Sequence, residues 1–79
     1  MSREVLVATR EDGRRARFRL EVFREGDHWT STLARLDDRG EPEAARVAPR
    51  FYGLTPEQAR RRMVTALEND WDEVRAEAG

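Results

Sequence analysis

Hydrophobic and polar positions alternate most clearly between residues 15 and 24. On an extended chain one side carries Ala16, Phe18, Leu20 and Val22, and the other carries Arg15, Arg17, Arg19 and Glu21. A period of two over this length predicts a half-buried antiparallel strand. Phe23 falls on the polar side of that strand.

Two neighbouring segments also have strand character. Residues 4–9 are short, apolar and β-branched, which predicts a strand that could lie at an edge of the sheet. The dipeptide Asp12-Gly13 then indicates a turn before residue 15. Residues 25–27, Glu-Gly-Asp, indicate a second tight turn, so that residues 15–24 and 28–36 form a hairpin.

The two faces of residues 28–36 are ambiguous in the sequence. One set is Trp29, Ser31 and Leu33, and the other is Thr30, Thr32, Ala34 and Leu36. We expect the Trp29 set to face the core, because an indole brings the larger apolar area. A bulge that exchanges the faces before Leu36 is the alternative.

Residues 44–52 alternate again, after a polar loop at 37–43. One side carries Ala45, Val47, Pro49 and Phe51, and the other carries Arg46, Ala48, Arg50 and Tyr52. Since proline has no N–H to donate to a ladder, this strand is expected at an edge or broken at Pro49.

The last segment has the pattern of a capped helix. Thr55 is the predicted N-cap, Pro56 fits the first helical position, and Gln58 completes a capping box with Thr55. Intervals of three and four then give one apolar stripe, formed by Ala59, Met63, Ala66, Leu67, Trp71 and Val74. This pattern predicts a helix that ends near Ala76.

These elements predict an α+β fold in a single domain over residues 1–79. The predicted architecture is a three- or four-stranded antiparallel meander sheet with one C-terminal helix packed on one face. One helix covers only one side of a sheet, so the opposite side should stay open and carry the Arg15 side of its strand.

Composition narrows the class of protein. The chain has 79 residues, of which 39% are charged and 38% hydrophobic, with a net charge of −1 and no cysteine. A disulfide scaffold and a cysteine zinc site are therefore excluded. The apolar run Val5–Ala8 is far shorter than a signal peptide core or a membrane span, so a cytoplasmic protein without membrane contact is expected.

The sequence shows no catalytic constellation. His28 is the one histidine, and it falls in a turn beside Asp27, so an exposed turn histidine is the favoured interpretation. The acidic runs at residues 37–43 and 70–73 do not have the spacing of a calcium-binding loop. We therefore expect no enzyme, no metal, no cofactor and no small-molecule substrate.

Arginine is the residue type that gives the most information about possible partners. All fifteen basic residues are arginines, and isoleucine is missing as well as lysine, which favours codon bias over selection for guanidinium chemistry. Candidate contacts to a partner or to nucleic acid are Arg15, Arg17, Arg19 and Phe23 on the strand, and Arg60 and Arg61 in the helix. Such rows can neutralise phosphates. The strand and helix clusters should point to opposite sides of the domain, which argues against one common footprint.

The helix charges run against the helix dipole, with arginines first and acids later. Arg60, Arg61 and Arg62 precede Glu68, Asp70, Asp72, Glu73 and Glu77. A helix of this kind could pair antiparallel with a copy of itself, and chance in a highly charged chain is the alternative.

Residues 53–59, Gly-Leu-Thr-Pro-Glu-Gln-Ala, followed by Met63, Ala66 and Leu67, resemble the helix opening of HicB-like antitoxin domains. The resemblance covers mainly residues 53–74. It implies a small dimerising domain in which a three-stranded meander precedes the helix, in some members an antitoxin that masks an RNA-cleaving toxin. The segment Arg46–Tyr52 replaces the Pro-x-Leu-Pro-Gly-like segment usual before that helix, and we do not expect the C-terminal DNA-binding domain that many members have.

The sequence therefore favours a non-catalytic interaction module that forms a homodimer or binds a protein partner. The surfaces available for this are the open sheet face and the edge at Pro49. The alternative is binding of RNA or DNA through the arginines of the sheet face.

Overall fold

The computed structural model describes residues 2–44 and 48–77. Its elements, in chain order, are β1 (Ser2–Thr9), β2 (Arg15–Glu25), β3 (His28–Leu36), β4 (Arg50–Gly53), α1 (Pro56–Asp70) and β5 (Glu73–Ala76). The strands form one antiparallel sheet in the order β4-β3-β2-β1-β5. The helix packs on one face of that sheet, which confirms the predicted α+β class.

Two tight turns connect the first three strands as predicted. Gly13 and Gly26 adopt positive φ angles of 94° and 61°, which a side chain rarely allows. The turns set the register, in which Thr9 lies opposite Arg15 and Glu25 lies opposite His28. Along β2 the even positions from 16 to 22 are buried and the odd positions from 17 to 23 are half-buried, as the alternation predicts.

β3 has its Trp29 set of side chains toward the core, as the sequence predicts. Leu33 is buried in the core and Trp29 packs against it. The pairing with β2 runs without interruption from His28 to Leu36, so the alternative of a bulge before Leu36 is wrong. Leu36 lies on the opposite face from Leu33 and is nevertheless buried.

The strand predicted over residues 44–52 is shorter and shifted in the structure. β4 spans Arg50–Gly53 and pairs with β3 at the edge of the sheet, after an isolated bridge between Pro42 and Leu36. Pro49 lies just outside the strand, as expected of a residue without an N–H. The predicted positions Ala45, Arg46 and Val47 lie outside the described residues.

The helix starts where the sequence predicts. The Thr55 hydroxyl accepts a hydrogen bond from the Gln58 N–H at 3.1 Å, and Pro56 is the first helical residue. The Gln58 side chain bonds the N–H of Leu54 at 2.7 Å, whereas a standard capping box uses the N–H of the cap residue itself. Hydrogen bonds therefore fix the start of α1 on both sides of Thr55, at the N–H of Leu54 and at the N–H of Gln58.

The predicted end of the helix is wrong, and the residues beyond it form a strand. α1 ends at Asp70, Trp71 is extended, and Glu73–Ala76 form β5 against the free edge of β1. The last turn holds no basic residue, and the acids there oppose the helix dipole. Val74 therefore reaches the core from a strand. The charge order along α1 is also weaker than predicted, because Asp72, Glu73 and Glu77 lie after it.

β1 consequently lies inside the sheet, between β2 and β5, and not at an edge. The turn between α1 and β5 is tied to the turn between β1 and β2. The Asp72 carboxylate accepts from the N–H of Glu11 at 2.7 Å, and the guanidinium of Arg10 lies 4.8 Å from the ring centre of Trp71. Trp71 also packs edge-on against Phe18. These contacts hold residues 71–76 in the extended conformation, in place of the helical turns that the sequence predicted there.

Candidate interaction surface: the open sheet face

The side of the sheet opposite α1 carries the predicted arginine row. Arg15, Arg17 and Arg19 occupy alternate positions of β2 and face away from the core. Phe23 lies on the same side, as the sequence predicts. No element among residues 2–44 and 48–77 packs over this side, which we call the open face. Its half-buried apolar residues include Val5 and Val7 of β1.

Two members of the arginine row already have acidic neighbours. A nitrogen of Arg17 lies 3.0 Å from the carboxylate of Glu77, and Arg19 Nε lies 3.4 Å from that of Glu21. Glu21 also faces Arg3 at 3.5 Å. Phosphates would therefore have to compete with existing ion pairs for most of this row.

Hydrogen bonding along the row is incomplete. The Nε atoms of Arg17 and Arg19 are shielded from solvent and have no hydrogen-bond partner in the structure. The contact between Arg19 and Glu21 is thus close enough for an ion pair but lacks the geometry of a hydrogen bond. Arg15 is exposed.

Aromatic side chains collect at the other end of the open face. The His28 ring meets the Tyr52 ring edge-on at 5.3 Å between centres, and the guanidinium of Arg50 lies 6.0 Å from the centre of Phe23. Tyr52 is 48% exposed although it is large and apolar. The sequence identified only Phe23 here, because the pairing of β3 with β4 that brings Tyr52 to His28 was not fixed by any turn.

The buried hydroxyl of Thr30 takes part in the hydrogen bonds at this aromatic end of the open face. Thr30 is fully buried and donates to the carboxylate of Glu25 at 2.5 Å, and Arg50 donates to the same carboxylate oxygen at 3.0 Å. Glu25 therefore holds Arg50 beside Phe23. The side chains of Glu25 and Arg50 are partly exposed on the open face.

The two helix arginines named from the sequence have different environments. Arg60 donates two hydrogen bonds of 2.8 Å to the carboxylate of Glu4 on β1, while Arg61 is exposed. Those hydrogen bonds hold the pKa of Glu4 below its ordinary value and raise that of Arg60. Arg60 thus ties the helix to the sheet. As expected, the helix arginines lie on the opposite side of the molecule from the strand row.

Charge on the open face is mixed, with an excess of arginine. The arginines at its strand positions are Arg3, Arg15, Arg17, Arg19, Arg50 and Arg75, and the acids are Glu21, Glu25 and Glu73, together with Glu77 just after β5. This face is therefore slightly positive while the whole chain carries −1.

Within residues 2–44 and 48–77, the sheet has two unpaired edges, and they differ in character. At β4, the Tyr52 carbonyl accepts a hydrogen bond from Arg62 at 2.6 Å, and Leu54 is 80% exposed just beyond the strand. At β5, Glu73 and Arg75 form an ion pair on the open face, and Val74 packs against the core on the other.

The geometry around His28 offers little for acid–base chemistry. Its Nδ1 lies 3.4 Å from the carboxylate of Asp27, which is itself fully exposed. The described residues contain no group of three or more histidines and acids placed to hold a metal ion. Within the same residues, no helix has the length and apolar character needed to cross a membrane.

Comparison of the chain with protein-family models, with curated proteins and with solved structures finds no match.

Proposed function

We propose that this protein is a non-catalytic interaction module that forms a homodimer. The observation that carries the proposal is the sheet itself, which has one face and two edges without a packed layer among the described residues. Apolar side chains on that face, such as Val5, Val7 and Phe23, lie beside charged ones. Interfaces between separately folded subunits are about as apolar as the rest of a protein surface, so a mixed face is compatible with such a contact.

The non-catalytic part of the proposal rests on the side chains near His28. A general base needs a nucleophile within hydrogen-bond reach and a group that orients the imidazole. The neighbours of His28 are an exposed carboxylate at 3.4 Å and the ring of Tyr52. These contacts position a ring in a surface cluster and activate no hydroxyl.

A HicB-like relationship remains part of the proposal. Four antiparallel strands precede the helix, one more than the three-stranded meander that the resemblance implies, and residues 53–59 contain its capped start. β5, after the helix, begins at Glu73 and so overlaps only the last two residues of the stretch that the resemblance mainly covers, residues 53–74.

Light scattering across a wide concentration range tests the proposal. A homodimer predicts a mass of twice 9.2 kDa that falls toward the monomer on dilution. The exposed variant Arg39→Ser serves as a control for unspecific charge effects. A mass that stays at 9.2 kDa up to high micromolar concentration overturns the proposal of a homodimer.

Binding of RNA or DNA to the open face is the second candidate function. It is favoured by one observation, the presence of the arginine row and of the aromatic rings of Phe23 and Tyr52 on the same face. Arginines can neutralise phosphates while aromatic rings stack on bases. The ion pairs of Arg17 and Arg19 oppose it, because the carboxylates of Glu77 and Glu21 partly neutralise these arginines and repel a phosphate.

Salt-dependent binding to a single-stranded oligonucleotide tests this second function. Replacing Arg15, Arg17 and Arg19 with serine should weaken binding and lower its salt dependence. The matched control replaces Arg24, Arg39 and Arg61, which are exposed outside the row, and so makes the same change in net charge. Equal losses in the two triple variants would show that the row has no special role.

A further inference from the structure

The edge formed by β5 has the properties of a symmetric contact with a second copy of this chain. Glu77 donates its N–H to the carbonyl of Val5, so its backbone faces β1. Backbone groups of successive residues in an antiparallel strand point to alternate sides. Val74 and Ala76 therefore direct their N–H and C=O groups toward the free edge.

The charges of β5 are self-complementary about Val74. Glu73 and Arg75 flank it and lie on the same face of the sheet, where they pair with each other. If two β5 strands pair antiparallel with Val74 on the two-fold axis, each Glu73 lies opposite the Arg75 of the partner. An isologous contact requires this kind of reciprocity, in which a residue i meets j and j meets i.

The backbone geometry agrees with the charge pattern. Val74 would form the hydrogen-bonded pair with its own copy, because its N–H and C=O point outward. Glu73 and Arg75 would then form the closer, non-hydrogen-bonded pairs, with about 4.5 Å between Cα atoms. Opposite charges stabilise a sheet most when they lie directly across from each other in this way.

The opposite edge is less suited to strand pairing. Pro49 lies beside β4, and the guanidinium of Arg62 already occupies the Tyr52 carbonyl. A proline beside an edge strand is a common means of preventing strand addition. Of the two edges among residues 2–44 and 48–77, β5 is the one with outward backbone groups flanked by matching charges, so we expect the assembly to close at two copies.

We propose that two copies of this chain associate through an antiparallel β5–β5 pairing centred on Val74, which joins their sheets into one continuous sheet. This inference rests on the proposed homodimer and names its interface. β5 is four residues long, and an axis at Val74 pairs only residues 73–75 within it, so we expect a weak dimer whose population depends on concentration.

Charge exchange at positions 73 and 75 tests the pairing by sedimentation equilibrium. Glu73→Arg and Arg75→Glu each place like charges opposite each other twice, so each should weaken the dimer at least tenfold. The double variant restores opposite charges and should dimerise like the original chain. An equimolar mixture of the two single variants should form a heterodimer.

Three results separate this inference from the proposed homodimer. Arg61→Glu, at an exposed helix position, is the control and should leave the dimer intact. If the single variants dimerise as well as the original chain, another surface forms the dimer and the β5 interface is wrong. If the original chain is a monomer at every concentration, the homodimer itself is wrong.

A covalent test uses the absence of cysteine from the chain. In the proposed pairing the two Val74 Cα atoms lie about 5.5 Å apart, which suits a disulfide. Val74→Cys should therefore give a disulfide-linked dimer on mild oxidation, whereas Thr65→Cys on the exposed side of α1 should not. Equal cross-linking of the two variants would contradict a defined contact at Val74.

Discussion

Arg60 of α1 and Glu4 of β1 form a bidentate ion pair, in which both hydrogen bonds are 2.8 Å long. The Glu4 side chain is 27% exposed and that of Arg60 is 42% exposed, so water screens the pair only in part. The two residues are separated by most of the chain in sequence. This contact therefore fixes the position of α1 on β1, a strand that is distant from the helix in sequence.

Replacing Glu4 with Gln should lower the free energy of unfolding at neutral pH by at most about 1 kcal/mol, as expected for a partly exposed pair. The hydrogen bonds from Arg60 hold the pKa of Glu4 below its ordinary value of 4.5. Since the folded pKa is the lower one, this stabilisation is present above pH 4.5 and is lost as the pH falls through the folded pKa. Urea unfolding at several pH values measures it.

Glu68→Gln is the matched control, because Glu68 is an exposed acid near the other end of α1. The difference in stability between Glu4→Gln and the original chain should shrink on acidification, while the effect of Glu68→Gln stays small throughout. A difference that persists unchanged at pH 2 would show that the substitution acts through packing and not through the ion pair.

Ser31 offers a second test of the contact between helix and sheet. Its hydroxyl is fully buried and donates to the carbonyl of Ala59 at 2.7 Å. Ser31→Ala removes the donor, and we expect a loss of about 1 kcal/mol in the free energy of unfolding. Thr32→Ala, at the next and half-buried position, is the comparison. Equal effects of both substitutions would mean that the hydrogen bond contributes nothing beyond strand propensity.

Local signals in the sequence were sufficient for β2, for the two glycine turns and for the start of α1. Each of these depends on residues close together in the chain, such as Thr55 with Gln58. The end of α1 was predicted wrongly because Trp71 and Val74 fit the helical spacing as well as they fit an extended segment. Residues 73–76 become extended because they pair with β1, which is distant in sequence.

The candidate surface could be predicted in part for the same reason. Alternation in β2 placed the arginine row and Phe23 on one face. Whether those arginines were free could not be known, because Glu77 reaches Arg17 only through β5. The roles of Arg60 and of Tyr52 likewise depend on contacts between elements, which residue spacing along one element does not reveal.

Thr55→Ala tests the N-cap of α1. The substitution leaves the N–H of Gln58 without its side-chain acceptor, and we expect a loss of about 1 kcal/mol in stability. Thr65→Ala, at an exposed position inside the same helix, should have little effect or stabilise slightly, since alanine has the higher helix propensity. Thermal unfolding followed by circular dichroism measures both. A cap variant that unfolds like Thr65→Ala would contradict the role of Thr55.

Gly53→Ala should be more damaging than the same change at Gly13, Gly26 or Gly40. A Cβ at Gly53 would lie 2.6 Å from the backbone nitrogen of Ala59, and a helix backbone cannot move aside as a flexible side chain can. We expect a loss of roughly 1–3 kcal/mol from overpacking. Gly40→Ala is the comparison, because a Cβ there meets nothing within 4 Å and costs only the strain of a φ of 81°. Denaturant unfolding of both variants measures the difference. A smaller loss for Gly53→Ala than for Gly40→Ala would show that α1 is not held against β4 as closely as the structure indicates.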